Sequence, residues 1–220
     1  MMEFIHFLID LLTHTKEVLL QLFQQYGTLI YAILFLIIFI ETGLVVFPLL
    51  PGDSLLFTAG LLCAQPGGLN IWVLIPLLTF AAILGDNINY FVGKFFSAHV
   101  LSWKLGGKTL VKKEWLDKTH AFFEKNGTKT IILARFVPIV RTITPFVSGL
   151  GRMNYKVFLP YDILGGIIWV GGVSLLGYFL GQIPFVEKNL EKFILGIVFL
   201  SILPIIIEFI RSRVAKYNTQ

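Results

Sequence analysis

Residues 131–150 form an apolar run that contains two arginines, Arg135 and Arg141, and two prolines, Pro138 and Pro145. The run is about long enough to enter a bilayer. Proline removes a backbone hydrogen bond and clashes with the preceding helical turn, so we do not expect one smooth helix across it. Arginine inside a membrane is costly and usually faces a partner, a cavity or a substrate. The run therefore predicts a broken, membrane-embedded segment in which both arginines face a partner, a cavity or a substrate.

A second stretch, residues 41–53, has the same arrangement with acids in place of arginines. Glu41 stands at its start and Asp53 at its end. We expect the fold to bring the two broken segments together. The residues expected to shape the two hairpins are Pro48, Pro51, Gly52, Pro138, Pro145 and Gly149.

The composition supports a membrane protein. Of the 220 residues, 56% are hydrophobic and the mean hydropathy is +0.81, which is more apolar than a soluble domain of this size requires. The net charge of +5 could suggest nucleic acid, but the basic residues lie beside apolar segments, where membrane topology explains them. We therefore expect no nucleic-acid partner. Cys63 is the single cysteine, so it cannot form an intrachain disulfide.

The order of apolar and polar segments predicts an all-α polytopic membrane protein with about four full transmembrane helices. Residues 3–25 form an amphipathic helix that either lies in the membrane interface or packs on the bundle. We divide the single membrane domain into an amphipathic N-terminal helix (1–26), a first repeat (27–98) with a re-entrant segment (48–65), a basic cytoplasmic amphipathic linker (99–129), a second repeat (130–182) with a re-entrant segment (131–150), and a last transmembrane helix with a basic tail (183–220). Full spans are expected at 27–47, 70–96, 160–181 and 193–210.

Charge placement predicts opposed hairpins. The loop at 94–129 carries eight lysines, and basic residues also end the chain, so we place the loop and both termini in the cytoplasm. The two re-entrant segments then open to opposite sides, as in an inverted repeat. Weak internal similarity agrees with this. The segment that begins at Asn70 resembles the segment that begins at Asn154, and Gly93 and Gly177 occupy equivalent positions after them. Such architecture is typical of transporters with a site near the midplane.

The ionisable residues of the two hairpins suggest a chemistry. Arginine binds phosphate through two parallel hydrogen bonds, so Arg135 and Arg141 are candidates for holding a phosphate-bearing headgroup. A carboxyl group in low dielectric favours its protonated form, whereas a nearby arginine favours its charged form. Such a group can exchange a proton when the arginine binds another anion, which makes Glu41 and Asp53 candidates for proton or cation coupling. The alternative is that acids and arginines neutralise one another and only stabilise the hairpins.

Other ionisable residues have weaker assignments. Asp86, Asn89 and Tyr90 share a helix face and either line the path or bond to the adjacent hairpin. Asp162 and Glu208 lie near the ends of predicted spans, from which we expect them to reach the interface. No motif for nucleophilic catalysis, metal binding or phosphate-loop binding is present. We therefore expect no enzyme activity, no metal and no cofactor.

The ordered motifs resemble those of the bacterial DedA family, whose membrane core is also called the VTT or SNARE-associated domain. The resemblance covers nearly the whole chain and rests on Glu41-Thr-Gly, Pro48-x-x-Pro51-Gly52-Asp53, Gly85-Asp86-x-x-x-Tyr90-x-x-Gly93 and Ala134-Arg135-Phe-x-Pro138-x-x-Arg141-Thr-x-x-Pro145-Phe-x-Ser-Gly149-x-x-x-Met153. It implies a protein of the bacterial inner membrane with two re-entrant hairpins in inverted repeat. It further implies that residues matching Glu41, Asp53, Arg135 and Arg141 are required for function.

The resemblance also implies a role in moving lipids between leaflets, linked to the proton motive force and envelope homeostasis. Undecaprenyl phosphate and phosphatidylethanolamine are the cargoes implied, and an arginine pair recognises the phosphate of either. Membrane lipids and protons are thus the expected partners. Two other functions remain open: a proton-coupled antiporter for small cations or drugs, and a membrane scaffold that transports nothing.

Overall fold

The computed structural model describes residues 15–43, 52–99, 104–105, 108–109, 129–135, 138–183 and 196. Almost all of them are helical, which confirms the predicted all-α class for this part of the chain. The helices are α1 (Thr15–Tyr26), α2 (Ile30–Gly43), α3 (Gly52–Ala64), α4 (Ile71–His99), α5 (Lys129–Ala134), α6 (Pro138–Leu150) and α7 (Tyr155–Gly181), with a 3-10 turn at Gly27–Leu29.

One short antiparallel hairpin interrupts the helical pattern. Its strands are β1 (Lys104–Leu105) and β2 (Lys108–Thr109), with Lys104 paired to Thr109. The sequence between them is Gly-Gly, which favours tight two-residue turns. The hairpin lies in the basic linker, which the sequence predicted to be amphipathic. Most of that linker lies outside the described residues.

Three of the described segments are long and apolar enough to cross a membrane: Glu17–Gly43, Ile71–Phe96 and Tyr155–Gly181. Large apolar side chains on their outer faces are exposed, for example Phe80 and Phe179. An outward apolar surface of this kind is what surrounding lipid requires. The fourth predicted span, 193–210, lies outside the described residues apart from Gly196.

The first of these segments also contains most of the described N-terminal helix. Leu19 of α1 is fully buried, and Val18, Leu22 and Phe23 pack against the main apolar core. The described part of this helix therefore packs on the bundle, which was one of the two alternatives. Residues 1–14 lie outside the described part of the chain.

The two broken segments contain short helices. Helix α3 has 13 residues, which span about 20 Å and fall short of a bilayer core of about 30 Å. The run at 131–150 is divided between α5 and α6, and α6 begins at Pro138. Proline is well tolerated at the first position of a helix, where its missing N–H has no intrahelical acceptor to lose. Pro145 lies inside α6 and does not end it.

Glycines let α3 and α7 approach closely. A Cβ atom added at Gly60 would overlap the carbonyl oxygen of Ser174, and one added at Gly177 would overlap that of Phe57. Gly181, one turn further along α7, faces Leu61 in the same interface. Gly177 and Gly181 thus form a Gly-x-x-x-Gly contact surface on α7.

Helices α4 and α6 pack in the same manner. A Cβ atom at Gly93 would overlap the carbonyl oxygen of Phe146, and one at Gly149 would overlap that of Tyr90. In both interfaces two glycines each face a carbonyl of the opposite helix. Gly149 is therefore required by helix packing and not by a turn.

The helices α4 and α7 also begin alike. The side-chain oxygen of Asn70 accepts a hydrogen bond from the backbone N–H of Trp72 at 2.9 Å. The side-chain oxygen of Asn154 accepts one from the backbone N–H of Lys156 at 3.0 Å. Each asparagine thus satisfies a donor that the first turn of a helix leaves without an intrahelical partner.

The glycine contacts give a first testable prediction. Replacement of Gly177 by alanine should destabilise the protein by about 1–3 kcal/mol, because the added methyl group forces α3 and α7 apart. Gly172 provides a matched control on the same helix, since no atom lies within 4 Å of a Cβ added there. Thermal unfolding in detergent, followed by tryptophan fluorescence, should show a lower melting temperature for Gly177→Ala and no loss for Gly172→Ala. Equal melting temperatures would contradict the packing.

Candidate functional site

Arg141 lies at the centre of a buried cluster formed by both broken segments. Its Nη2 contacts Glu41 Oε1 at 2.7 Å and its Nη1 contacts Asp53 Oδ1 at 3.0 Å. The side chains of Arg141 and Glu41 are 3% and 1% exposed, whereas that of Asp53 is 18% exposed. The guanidinium group therefore joins the two segments, as the sequence predicted, and Asp53 is the carboxylate nearest the surface. We call these residues, with Trp169, the Arg141 centre.

Trp169 of α7 completes the Arg141 centre. The guanidinium carbon of Arg141 lies 4.1 Å from the centroid of its indole ring. The indole Nε1–H donates a hydrogen bond to Asp53 Oδ1 at 2.7 Å. A cation held over a tryptophan face away from water gains about 2 kcal/mol. One side chain thus positions both the cation and the more accessible acid.

Two helix N-termini meet at this centre. Gly52 and Asp53 begin α3, and the carboxylate of Glu41 lies so close to Gly52 that a Cβ atom there would overlap it. Arg141 lies in the first turn of α6. The N-terminus of a helix carries partial positive charge, which favours the two carboxylates and disfavours the arginine. The acids therefore neutralise a region that would otherwise be strongly positive.

Arg135 occupies a separate cluster, which we call the Arg135 centre. Its Nη2 donates to Asp86 Oδ2 on α4 and to Asp162 Oδ1 on α7, so that both acids contact the same nitrogen. All three side chains are buried. Gly165 makes room for the arginine, because a Cβ atom there would lie 2.8 Å from Arg135 Cδ.

Contact between α2 and α4 positions one acid of each centre. The two helices touch at Gly43 and Gly85, since a Cβ atom at Gly43 would lie 3.4 Å from the Cα of Gly85. Gly43 lies two residues after Glu41, and Gly85 lies directly before Asp86. The amide nitrogen of Asn89 donates to the carbonyl oxygen of Thr42 at the end of α2. This bond satisfies a carbonyl that the helix end leaves without an intrahelical donor.

Helix α7 connects the two centres. Asp162 belongs to the Arg135 centre and Trp169 to the Arg141 centre, and both are buried. Residues seven apart lie on the same face of a helix, with a rise of about 10 Å. The positions at which the two centres are attached to α7 therefore lie about two helical turns apart.

Each centre has more acid than base. One guanidinium group faces two carboxyl groups in both, so the formal charge of each is −1 if every group is ionised. Buried excess charge is costly. Among the described residues, several buried polar atoms of the centres also make no hydrogen bond: Glu41 Oε2, Arg141 Nε, Asp86 Oδ1, Asp162 Oδ2 and Arg135 Nη1. The arrangement is suited to taking up a proton or a cation, or to exchanging a carboxylate for another anion.

The structure separates residues that the sequence had grouped. Glu41, Asp53 and Arg141 lie together, but Arg135 contacts neither Glu41 nor Asp53 in any ion pair of the described residues. Asp86 binds Arg135. Asn89 bonds to the end of α2, as described above, and the Tyr90 hydroxyl donates to the carbonyl oxygen of Met153. All three predicted path residues thus bond to neighbouring segments.

One residue prediction was wrong. Asp162 does not reach the interface, since it is fully buried against Arg135. The sequence placed the start of this span at Pro160, but α7 begins at Tyr155, which puts Asp162 two turns inside the helix. Glu208, Pro48 and Pro51 lie outside the described residues. Within the described residues no group of three histidine, cysteine or acidic side chains is arranged to hold a metal ion.

Trp169 was not identified from the sequence. A signal was available, because Asp162, Gly165, Gly166 and Trp169 follow the i, i+3, i+4, i+7 spacing of one helix face. An acid, two glycines and an indole on one face of an apolar span indicate a buried polar surface and not a lipid-facing one.

The charge imbalance of the Arg141 centre gives a second prediction. Arg141→Met leaves two buried carboxyl groups without a cation and should destabilise the protein by about 3–5 kcal/mol. Glu41→Gln should cost much less, since it removes the excess negative charge and leaves Arg141 paired with Asp53. Lys156→Met, at an exposed position, is the matched control for loss of a cation. Melting temperatures at neutral pH would test this order, and a Glu41→Gln protein as unstable as Arg141→Met would contradict it.

Comparison with known proteins shows the family. The model of the VTT domain matches residues 50–179. The chain is 49% identical over 213 residues to Protein DedA of Escherichia coli (strain K12), covering 96% of both chains. It is 53% identical over 171 residues to an uncharacterized membrane protein, ML0287, of Mycobacterium leprae, covering 78% of this chain and 75% of that one. It is 34% identical over 164 residues to the inner membrane protein YqjA of E. coli K12, covering 71% of this chain and 70% of that one. No solved structure matches it. The chain therefore belongs to the DedA family of membrane proteins, which carry the VTT domain.

Proposed function

We propose that this protein moves a phosphate-headed lipid between the leaflets of the bacterial inner membrane, coupled to protons, and that the Arg141 centre is where the headgroup binds. The observation that carries the proposal is the meeting of two helix N-termini at one buried arginine. Helix N-termini and guanidinium groups are the preferred donors for phosphate. In the present conformation the carboxylates of Glu41 and Asp53 occupy the positions of an anionic ligand.

The exchange of anions explains the coupling to protons. A headgroup phosphate that binds both terminal nitrogens of Arg141 must displace a carboxylate. A displaced carboxylate in a buried site is costly unless it takes up a proton. Asp53 is the more accessible of the two acids, since its side chain is 18% exposed and that of Glu41 is 1% exposed. It is therefore the group that we assign to proton uptake, while Glu41 keeps the arginine in place.

The proposal includes two re-entrant hairpins related by an inverted repeat. Helices α3, α5 and α6 are each too short to cross a bilayer, which supports re-entrant segments. The α3–α7 and α4–α6 interfaces use glycines in equivalent places, and α4 and α7 begin with equivalent asparagine caps. Substrate sites of inverted-repeat transporters lie where the ends of such broken helices meet.

Two cargoes fit this chemistry, undecaprenyl phosphate and phosphatidylethanolamine. Both present a phosphate, and the centre has no described feature that would select the attached alcohol or tail. The name of the E. coli relative YqjA places that protein in the inner membrane, and we propose the same location here, with both termini in the cytoplasm.

Reconstitution tests the lipid-moving function. Wild type, Arg141→Lys and Asp53→Asn proteins would be placed in vesicles containing either lipid, and an impermeant headgroup reagent would follow outer-leaflet lipid over time. Wild type should move one of the lipids, and a pH gradient should accelerate it. Arg141→Lys should be slower by about tenfold or more, because lysine cannot make the paired hydrogen bonds of arginine. Asp53→Asn should lose the response to the gradient.

Lys156→Arg, outside both centres, is the matched control and should move lipid at the wild-type rate. Full activity of folded Arg141→Lys would exclude paired phosphate capture at this residue. If every variant affected lipid movement only in proportion to its abundance, the protein would act as a scaffold.

A second candidate is proton-coupled antiport of a small cation, and the formal charge of −1 at each centre favours it. In that case Glu41 and Asp53 bind the cation and the arginines are structural. Vesicles made from an uncharged glycolipid, without phosphate, would separate the two functions. We expect no cation-driven proton flux in them; flux that Asp53→Asn abolishes would establish antiport instead.

A further inference from the structure

The Arg135 centre binds its two acids differently from the Arg141 centre. Asp86 Oδ2 and Asp162 Oδ1 both accept from Nη2 of Arg135. In the Arg141 centre, Glu41 and Asp53 bind different nitrogens of the guanidinium fork. Contact with the same nitrogen holds the two carboxyl groups side by side.

Two ionised carboxylates at such separation repel strongly, and buried acid pairs of this kind carry one proton between them. Both side chains are buried, 1% exposed for Asp86 and 0% for Asp162, so water does not screen the repulsion. Their second oxygens, Asp86 Oδ1 and Asp162 Oδ2, make no hydrogen bond with the described residues, and neither does Nη1 of Arg135. Arg135 and, from α6, Arg141 are the cations that act on Asp86.

We propose that Asp86 and Asp162 share one proton and form a second protonatable site, distinct from Glu41 and Asp53. The proton is bonded to one carboxyl oxygen and hydrogen-bonded to the other, so the pair carries a charge of −1 and Arg135 neutralises it. Release of this proton leaves the centre at −1, and its return restores neutrality. The site lies between α4 and α7, so movement of α7 changes the separation of the two acids. This inference does not depend on the lipid-moving function.

Infrared spectroscopy of the purified protein tests the shared proton directly. A protonated carboxyl group gives a carbonyl stretching band that an ionised one lacks, and exchange into heavy water shifts it. Wild type at neutral pH should show this band. Asp86→Asn and Asp162→Asn should each lose the same component, because the remaining acid is then ionised by Arg135. Glu41→Gln and Asp53→Asn are the matched controls and should retain it.

Absence of the band from folded wild type, or its persistence in both single variants, would overturn the proposal. Retention of the component in Asp86→Asn/Asp162→Asn would show that the band comes from another acid, and would overturn it as well.

Stability gives a second measurement that does not rely on assigning the band. An amide resembles a protonated carboxyl group, so Asp162→Asn should melt at the wild-type temperature at neutral pH. The melting temperature of wild type should fall at alkaline pH, where the shared proton leaves, and that of Asp162→Asn should not. The double variant Asp86→Asn/Asp162→Asn should melt several degrees lower, because Arg135 then has no anion. A single variant that melts as low as the double one at neutral pH would show that both acids are needed in ionised form.

Discussion

A buried guanidinium group must have an anion within reach, and the structure depends on this requirement at two places. Arg141 joins the end of α2 to the start of α3, and Arg135 joins α4 to α7. Breaking a buried pair by removing one member typically costs about 3–5 kcal/mol. The chain therefore cannot separate these segments without supplying another partner. A proton and an anionic headgroup are partners that can enter and leave, which makes the same contacts suited to transport.

Close helix packing makes the two centres possible. Glycine contacts bring α3 against α7 and α4 against α6. The contact between Gly43 and Gly85 brings α2 against α4. Helix α7 carries Asp162 toward one arginine and Trp169 toward the other. A displacement of α7 relative to α4 or α6 would alter both centres together. In the proposed function, headgroup exchange at Arg141 and protonation near Arg135 would be coupled through this one helix.

Ionisable residues in an apolar chain were sufficient to predict that the two broken segments meet, because Glu41, Asp53 and Arg141 have no tolerable place in an apolar interior without an oppositely charged partner. They were not sufficient to predict the pairing, since any acid can neutralise any arginine and the choice depends on how the helices cross. Asp162 was misplaced because Pro160 suggested a helix start, whereas proline is accepted in the second turn of α7. Trp169 was missed because an aromatic residue in a span is more often lipid-facing. The all-helical class followed from the length and order of the apolar segments.

In the proposed mechanism, a phosphate that binds Arg141 displaces a carboxylate, which then takes up a proton. Isothermal titration calorimetry of a phosphate-headed lipid, in buffers with different ionisation enthalpies, counts the protons exchanged on binding. The account predicts uptake of about one proton per lipid bound by wild type, and none by the Asp53→Asn protein. Binding to wild type without any proton exchange would contradict it.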